Sequence, residues 1–210
     1  MKLTDIRQGT SENRLILVFE DGTKLRVWKQ TAAEFALYKG KELTQNEYDA
    51  LSAAAKETAV KDRAVRIVTS TNISKKGLAR RLVQKGETKE QAEEAVQWLS
   101  DLNLLDDRRT GEMLVHSALS KGYGLHRIQQ ILREKEIPRE WWDELLSDLP
   151  PMDEAIDKLL RQKLKSAAPD KKEVQRAVDA LLRYGHNWQD IRAGLERFRL
   201  NADLEDPECL

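Results

Sequence analysis

The sequence predicts a mainly α protein: three tandem three-helix repeats stacked into an elongated curved rod, with a small N-terminal β-hairpin and helix extension. Three observations predict it. The only β-like runs sit in the first 28 residues; helical periodicity takes over from about Val60; and the helical part matches itself when shifted by 50 and by 99 residues. The 210 residues are 40% apolar and 34% charged, with 36 Lys and Arg against 36 Asp and Glu. Such a charged chain does not bury one thick core, so thin or modular packing is expected.

The elements follow in chain order. Arg14 to Phe19 and Thr23 to Trp28 are β-branched and aromatic runs joined by Glu20-Asp21-Gly22, and Asp-Gly is a hairpin signal because Gly accepts positive φ. A weaker strand spans Lys2 to Arg7. Short helices are expected at Thr31 to Tyr38 and Thr44 to Lys56, the second started by the capping-box spacing Thr44-x-x-Glu47. Residues 1–58 therefore form the N-terminal module. Further on, Ala92, Ala95, Val96, Leu99 and Leu102 share one helical face, as do Leu78 and Leu82. Breaks fall at Lys85-Gly86, Lys121 to Gly124, Pro150-Pro151, Pro169 and Tyr184-Gly185.

Under the 50-residue shift Leu82, Ala92, Ala95, Val96 and Leu99 meet Leu132, Trp142, Leu145, Leu146 and Leu149. A shift of 99 brings Leu181, Gly185, Ile191, Leu195 and Phe198 to equivalent slots, and the helix-start residues Thr88, Pro138 and Asn187 coincide. The repeats are expected at 59–106, 107–150 and 151–200, each too small to bury a core alone. An acidic tail, 201–210, follows.

Gly122-Tyr-Gly124, Arg127-Ile128, Leu132 and Ile137-Pro138 resemble, in that order and spacing, the central-repeat signature of the RecX family of recombination regulators. The first repeat is similar through Ser74, Leu78, Leu82, Lys85-Gly86 and Leu102 to Asp107, and the N-terminal module resembles an extension carried by some members. The chain departs from the pattern at Glu136, where the family carries Gly, and at Thr110-Gly111, where it favours an aromatic residue then Ala. The resemblance implies a non-catalytic regulator of RecA recombinase. It would bind the RecA filament on single-stranded DNA, commonly in the filament groove, and reduce ATPase and strand-exchange activity.

The residues themselves point away from catalysis. Walker, dinucleotide and nucleophile-elbow patterns are missing. His116, His126 and His186 have no ligand spacing and read as partly exposed helix or loop residues. The single cysteine, Cys209, stands beside Glu208 without the positive surroundings that activate a thiol. No cofactor, metal, membrane or small-molecule substrate is expected, and the chain reads as a cytoplasmic monomer without a signal peptide or membrane span.

Charge is segmented. Residues 61–90 hold nine Lys and Arg against three acids, a net charge of +6, and 151–200 come to +3; 91–106 and the tail are each −4. Lys76/Arg80 and Arg81/Lys85 are like-charge i, i+4 pairs, each destabilising by about 0.2–0.5 kcal/mol, which an anionic partner would offset. The expected contact surface is Lys75, Lys76, Arg80, Arg81 and Lys85 with Lys121, Arg127 and Arg133, meeting acidic RecA surface or filament DNA. The plainer reading of these cations is a solvated face balanced by the acidic helix behind it. Trp98, Trp141 and Tyr123 read either as stacking platforms and hot spots or as packing between repeats. Two other functions stay open: a stand-alone nucleic-acid-binding helical array, and a helical-repeat scaffold for another protein.

Overall fold

The computed structural model describes residues 1–9, 11–164 and 169–198; the acidic tail 201–210 and Cys209 lie outside them. The fold is mainly α with one small sheet at the N-terminus. Strands β1 (Leu3–Gln8), β2 (Arg14–Phe19) and β3 (Lys24–Trp28) pair antiparallel in the order β1-β2-β3. Gly22 turns the β2–β3 hairpin at φ +83°. Alternation sends Leu17, Phe19 and Val27 to the inner face, where they join Leu3, Leu43, Leu51 and Ala55.

Helix α1 (Lys29–Glu34) is short, while α2 runs from Gln45 to Ser70. Its start is the capping box read from the sequence. Thr44 Oγ1 accepts from Glu47 N at 3.3 Å, and Glu47 Oε2 accepts from Thr44 N at 2.8 Å. The expected end at Lys56 is fourteen residues early. Val60, Ala64 and Ile67 prolong the buried stripe at helical spacing, so the helix passes straight through position 58. It stops where Ser70 and Thr71 turn their hydroxyls onto Ile67 O, at 3.0 and 2.9 Å.

Beyond it lie α3 (Lys75–Gln84), α4 (Lys89–Asp101), α5 (Asp107–Ser120), α6 (Leu125–Glu134), a 3-10 turn (Arg139–Trp141), α7 (Trp142–Ser147), α8 (Asp153–Lys163), α9 (Lys171–Arg183) and α10 (Trp188–Arg197). The chain forms two compact units: residues 1–71 with 78–105, and residues 72–77 with those from 106 onward.

In the first unit α4 packs on α2 with Ala92, Ala95 and Leu99 buried. Trp98, half-buried, packs at a tilt against Trp28 with ring centroids 5.8 Å apart, and Lys61 Nζ lies 5.7 Å from the Trp28 ring and 5.3 Å from the Trp98 ring. Packing is therefore the role the fold gives Trp98. The second unit has two cores. Val115, Ile128, Leu132, Ile137 and Trp142 form one, and Ile156, Leu160, Leu181, Trp188, Ile191 and Leu195 form the other.

The aligned helix starts are real starts: Thr88 caps α4, Pro138 precedes the 3-10 turn and Asn187 caps α10. Two residues ahead of each stands a left-handed residue, Gly86 at φ +97°, Glu136 at +57° and Gly185 at +82°. The backbone demands the same conformation in all three places, and at Glu136 a side chain accepts it.

Candidate functional site

The cations singled out in the sequence are shared between the two units. Lys75 and Lys76 open α3 and belong to the second unit, whereas Arg80, Arg81 and Lys85 belong to the first. All five are exposed, while Leu78 and Leu82 on the same helix are fully buried. Arg81 Nη1 reaches Thr71 Oγ1 at 3.5 Å.

The start of α3 is closed rather than open to an anion. Ser74 Oγ accepts from Gly77 N at 3.0 Å and donates to Lys135 O at 2.7 Å, while Asp107 Oδ1 accepts from Lys75 N at 2.7 Å. Burial pushes the Asp107 carboxyl above its ordinary pKa, against the pull of the Lys75 N–H and the Lys75 charge.

Lys121, Arg127 and Arg133 fall in the second unit, and two of them are exposed. Arg127 is half-buried and engaged: its guanidinium lies 5.9 Å from the Tyr123 ring, and Nη1 is 3.6 Å from Glu134 Oε1. It holds the glycine-flanked turn in place. Tyr123 in turn meets Tyr184 edge-on at 5.4 Å. The pair lines a cleft of about 760 Å3 that carries Lys121, Lys158 and Arg161 together with the acids Glu154 and Asp157. The sequence marks Tyr184 only as part of the break at Tyr184-Gly185, and Lys158 and Arg161 only through the net +3 of their segment.

The cleft stands where two backbones touch. Gly124 N donates to Tyr184 O at 2.8 Å and His126 N to Gly185 O at 3.0 Å. A Cβ on Gly124 would lie 2.3 Å from Gly185 O, so glycine is what lets the turn of Tyr123 close on that of Tyr184.

His116 and His126 are exposed, as expected. His186 is not: it is 2% exposed, because the glycine contact draws its turn inward, and Nε2 lies 3.0 Å from Gly122 O. Burial pushes its pKa below the ordinary histidine value, partly opposed by the Gly122 carbonyl and by Asp190. The unfolded chain therefore takes up a proton at a pH where the folded one does not. Stability is full above the unfolded pKa and falls as pH drops toward the folded one. Urea unfolding between pH 7 and 5.5 is expected to weaken by up to about 1.4 kcal/mol per pH unit from this group, and His186→Gln should flatten that slope. An unchanged slope would mean His186 protonates freely in the fold.

Among the described residues no three His, Cys, Asp or Glu are grouped to hold a metal ion, and no helix is long and apolar enough to cross a membrane. Around the cleft the described residues offer cations and aromatic edges, with the carboxylates of Glu154 and Asp157 beside them.

Comparison with known proteins gives these features relatives. Residues 106–146 match the family model described as RecX, second three-helix domain. The regulatory protein RecX of Cronobacter sakazakii is 33% identical over 152 residues, 65% of this chain and 90% of the relative. That of Clostridium tetani is 23% identical over 203 residues, covering 93% and 94% of the two chains. A crystal structure of regulatory protein RecX aligns with a TM-score of 0.68 at 19% identity, over 93% of this chain and 98% of that one. The structure of RecX from Lactobacillus salivarius gives 0.60 at 16% identity, over 68% and 96%.

Proposed function

The chain belongs to the RecX family, and from that premise we propose that it is a non-catalytic regulator that binds the RecA filament on single-stranded DNA and lowers its ATP hydrolysis and strand exchange. The observation that carries this reading is helix α3 with the residue after it. Its apolar line, Leu78 and Leu82, is fully buried, while Lys75, Lys76, Arg80, Arg81 and Lys85 are left at the surface. Like charges so placed favour an anionic partner, either acidic protein surface or phosphate backbone. Exposed Lys121 and Arg133 extend the proposed contact in the second unit, and Arg127 supports it by holding the Tyr123 turn. Inhibition follows by mass action: a ligand that prefers one protomer arrangement of the filament shifts the population toward it.

The test is DNA-dependent ATP hydrolysis by RecA, with this protein titrated in below stoichiometry and its own DNA binding measured alongside. Hydrolysis is expected to fall without a matching affinity for free DNA. In the Arg80→Glu, Arg81→Glu double variant, filament affinity should drop more than tenfold, beyond about 1.4 kcal/mol. Unchanged affinity would move the contact elsewhere.

The net charge of +6 on residues 61–90 favours a second reading, a stand-alone nucleic-acid-binding array. Contacts to about four phosphates of a single strand predict a log–log salt slope near −3. A scaffold for an unrelated partner would depend on neither recombinase nor DNA.

A further inference from the structure

The cleft of about 760 Å3 lies wholly within the second unit. Three pieces of chain build it: the turn after α5, the Pro150-Pro151 link with α8, and Tyr184 at the end of α9. Its volume is in the range of small-molecule sites, roughly 300–1,000 Å3. Gly122 sits against the first turn of α8, where a Cβ on it would lie 3.8 Å from Ala155 Cβ. Met152, the N-cap of α8, makes no side-chain hydrogen bond, so the first-turn N–H groups are left to water or a ligand. Leu119, Met152 and Leu159 supply the apolar lining.

Lys121, Lys158 and Arg161 are exposed, and none of them is in an ion pair among the described residues. Of the two acids, Asp157 is occupied: Oδ1 accepts from Arg197 Nε at 3.1 Å and Nη2 at 2.7 Å. Glu154 and Gln162 are exposed. Tyr123 is held by Arg127 and by the edge contact, whereas Tyr184 keeps 37% of its surface open.

This set of groups selects the ligand. An open aromatic ring beside unpaired cations suits a base joined to a phosphate, because every base has a face to stack and the cations follow the backbone. Glu154 and Gln162 serve the same ligand: a carboxylate accepts from an exocyclic amine, and an amide pairs with a base edge. An acidic peptide would leave the ring unused and set its carboxylates against Glu154. A nucleotide carries its uncharged base apart from its phosphate.

We propose that this cleft holds a nucleotide of a single-stranded nucleic acid, with the base stacked on Tyr184, its edge toward Glu154 and Gln162, and the flanking phosphates on Lys121, Lys158 and Arg161. This goes beyond the filament contact proposed for α3, since it needs no RecA. One stacked base with a few phosphate contacts makes a weak site, so it does not supply a free-DNA affinity that would account for inhibition.

The experiment titrates the full chain, without RecA, into a thymidine octamer carrying 2-aminopurine at one central position, whose emission is quenched when the base stacks on a ring. Quenching is expected. Tyr184→Leu should abolish it and weaken binding at least fivefold, whereas Tyr184→Phe should keep both, with folding checked by circular dichroism. Lys121→Glu with Lys158→Glu should lose at least tenfold in affinity. Lys24→Glu with Arg26→Glu, an equal change of charge in the first unit, should bind as before. An octamer without bases, of the same charge, should bind at least fivefold more weakly. The proposal is overturned if binding leaves the emission unchanged, if Tyr184→Leu quenches like the unaltered chain, or if the baseless octamer binds equally well. Equal losses in the two charge variants would overturn it as well, showing general polyanion attraction. Displacement of the octamer by an equal concentration of ATP would overturn it in favour of a free-nucleotide site.

Discussion

Replacing Gly185 by alanine is expected to destabilise the protein by about 3 kcal/mol. Two costs add. The residue sits at φ +82°, where a Cβ costs roughly 1–2 kcal/mol. That Cβ would also lie 2.3 Å from Arg127 N and 2.9 Å from Arg127 Cα. Both are backbone atoms, so no side chain can swing aside and the turn itself must move. Gly22 separates the two costs, because at φ +83° its Cβ would meet nothing within 4 Å. Gly22→Ala should therefore lose only the conformational share, about 1–2 kcal/mol. Thermal unfolding would show Gly185→Ala with a midpoint roughly 6–12 °C lower. Equal losses at the two positions would show that the close approach of the turns contributes nothing.

Truncating Trp142 to alanine is expected to cost about 3–5 kcal/mol. The side chain is nearly buried among Val115, Ile128, Leu132 and Ile137, and Nε1 donates to Ile137 O at 3.1 Å. Arg139 covers its ring at 5.0 Å. Trp142→Phe keeps most of the packing and strands one carbonyl, so it should cost about 1–3 kcal/mol. Trp141, next in the chain but half-buried, should tolerate alanine with a clearly smaller loss. Urea midpoints of the three variants give the order, and a Trp141 effect as large as that of Trp142 would place the core on the other ring.

Much of this fold is legible because it is local. Thr44, Thr88 and Asn187 are caps whose partners lie three residues away, so spacing reveals them. Gly22 betrays the hairpin for the same reason, and Leu82, Leu132 and Leu181 betray the repeat by recurring at fully buried slots. The extent of α2 was harder, since its second half carries many charges and only Val60, Ala64 and Ile67 keep the stripe going.

Long-range pairings leave no such trace. Nothing near Lys61 announces that it will meet both Trp28 and Trp98, and nothing near His186 announces Gly122, 64 residues earlier in the chain. The same holds for the candidate surface. Lys76, Arg80 and Arg81 are recognisable as exposed helical cations from the pattern alone. That Arg127 is occupied by Tyr123 and Glu134 depends on how a turn is packed.

The six residues 72–77 belong to a unit whose remaining residues begin at 106. On a ribosome the chain emerges from its N-terminus, so this short piece is exposed well before its partners exist. Ser74 must wait for the carbonyl of Lys135, and Lys75 N–H for the carboxylate of Asp107. Until then water serves these groups, and the first turn of α3 frays. Residues 78–105 carry no such debt, since their unit is otherwise drawn from residues already made. Vectorial synthesis thus sets an order of assembly: the first unit can close while the second is still being translated. A truncation beginning at Asp106 would deprive the second unit of six of its own residues, however cleanly the cut falls between helices.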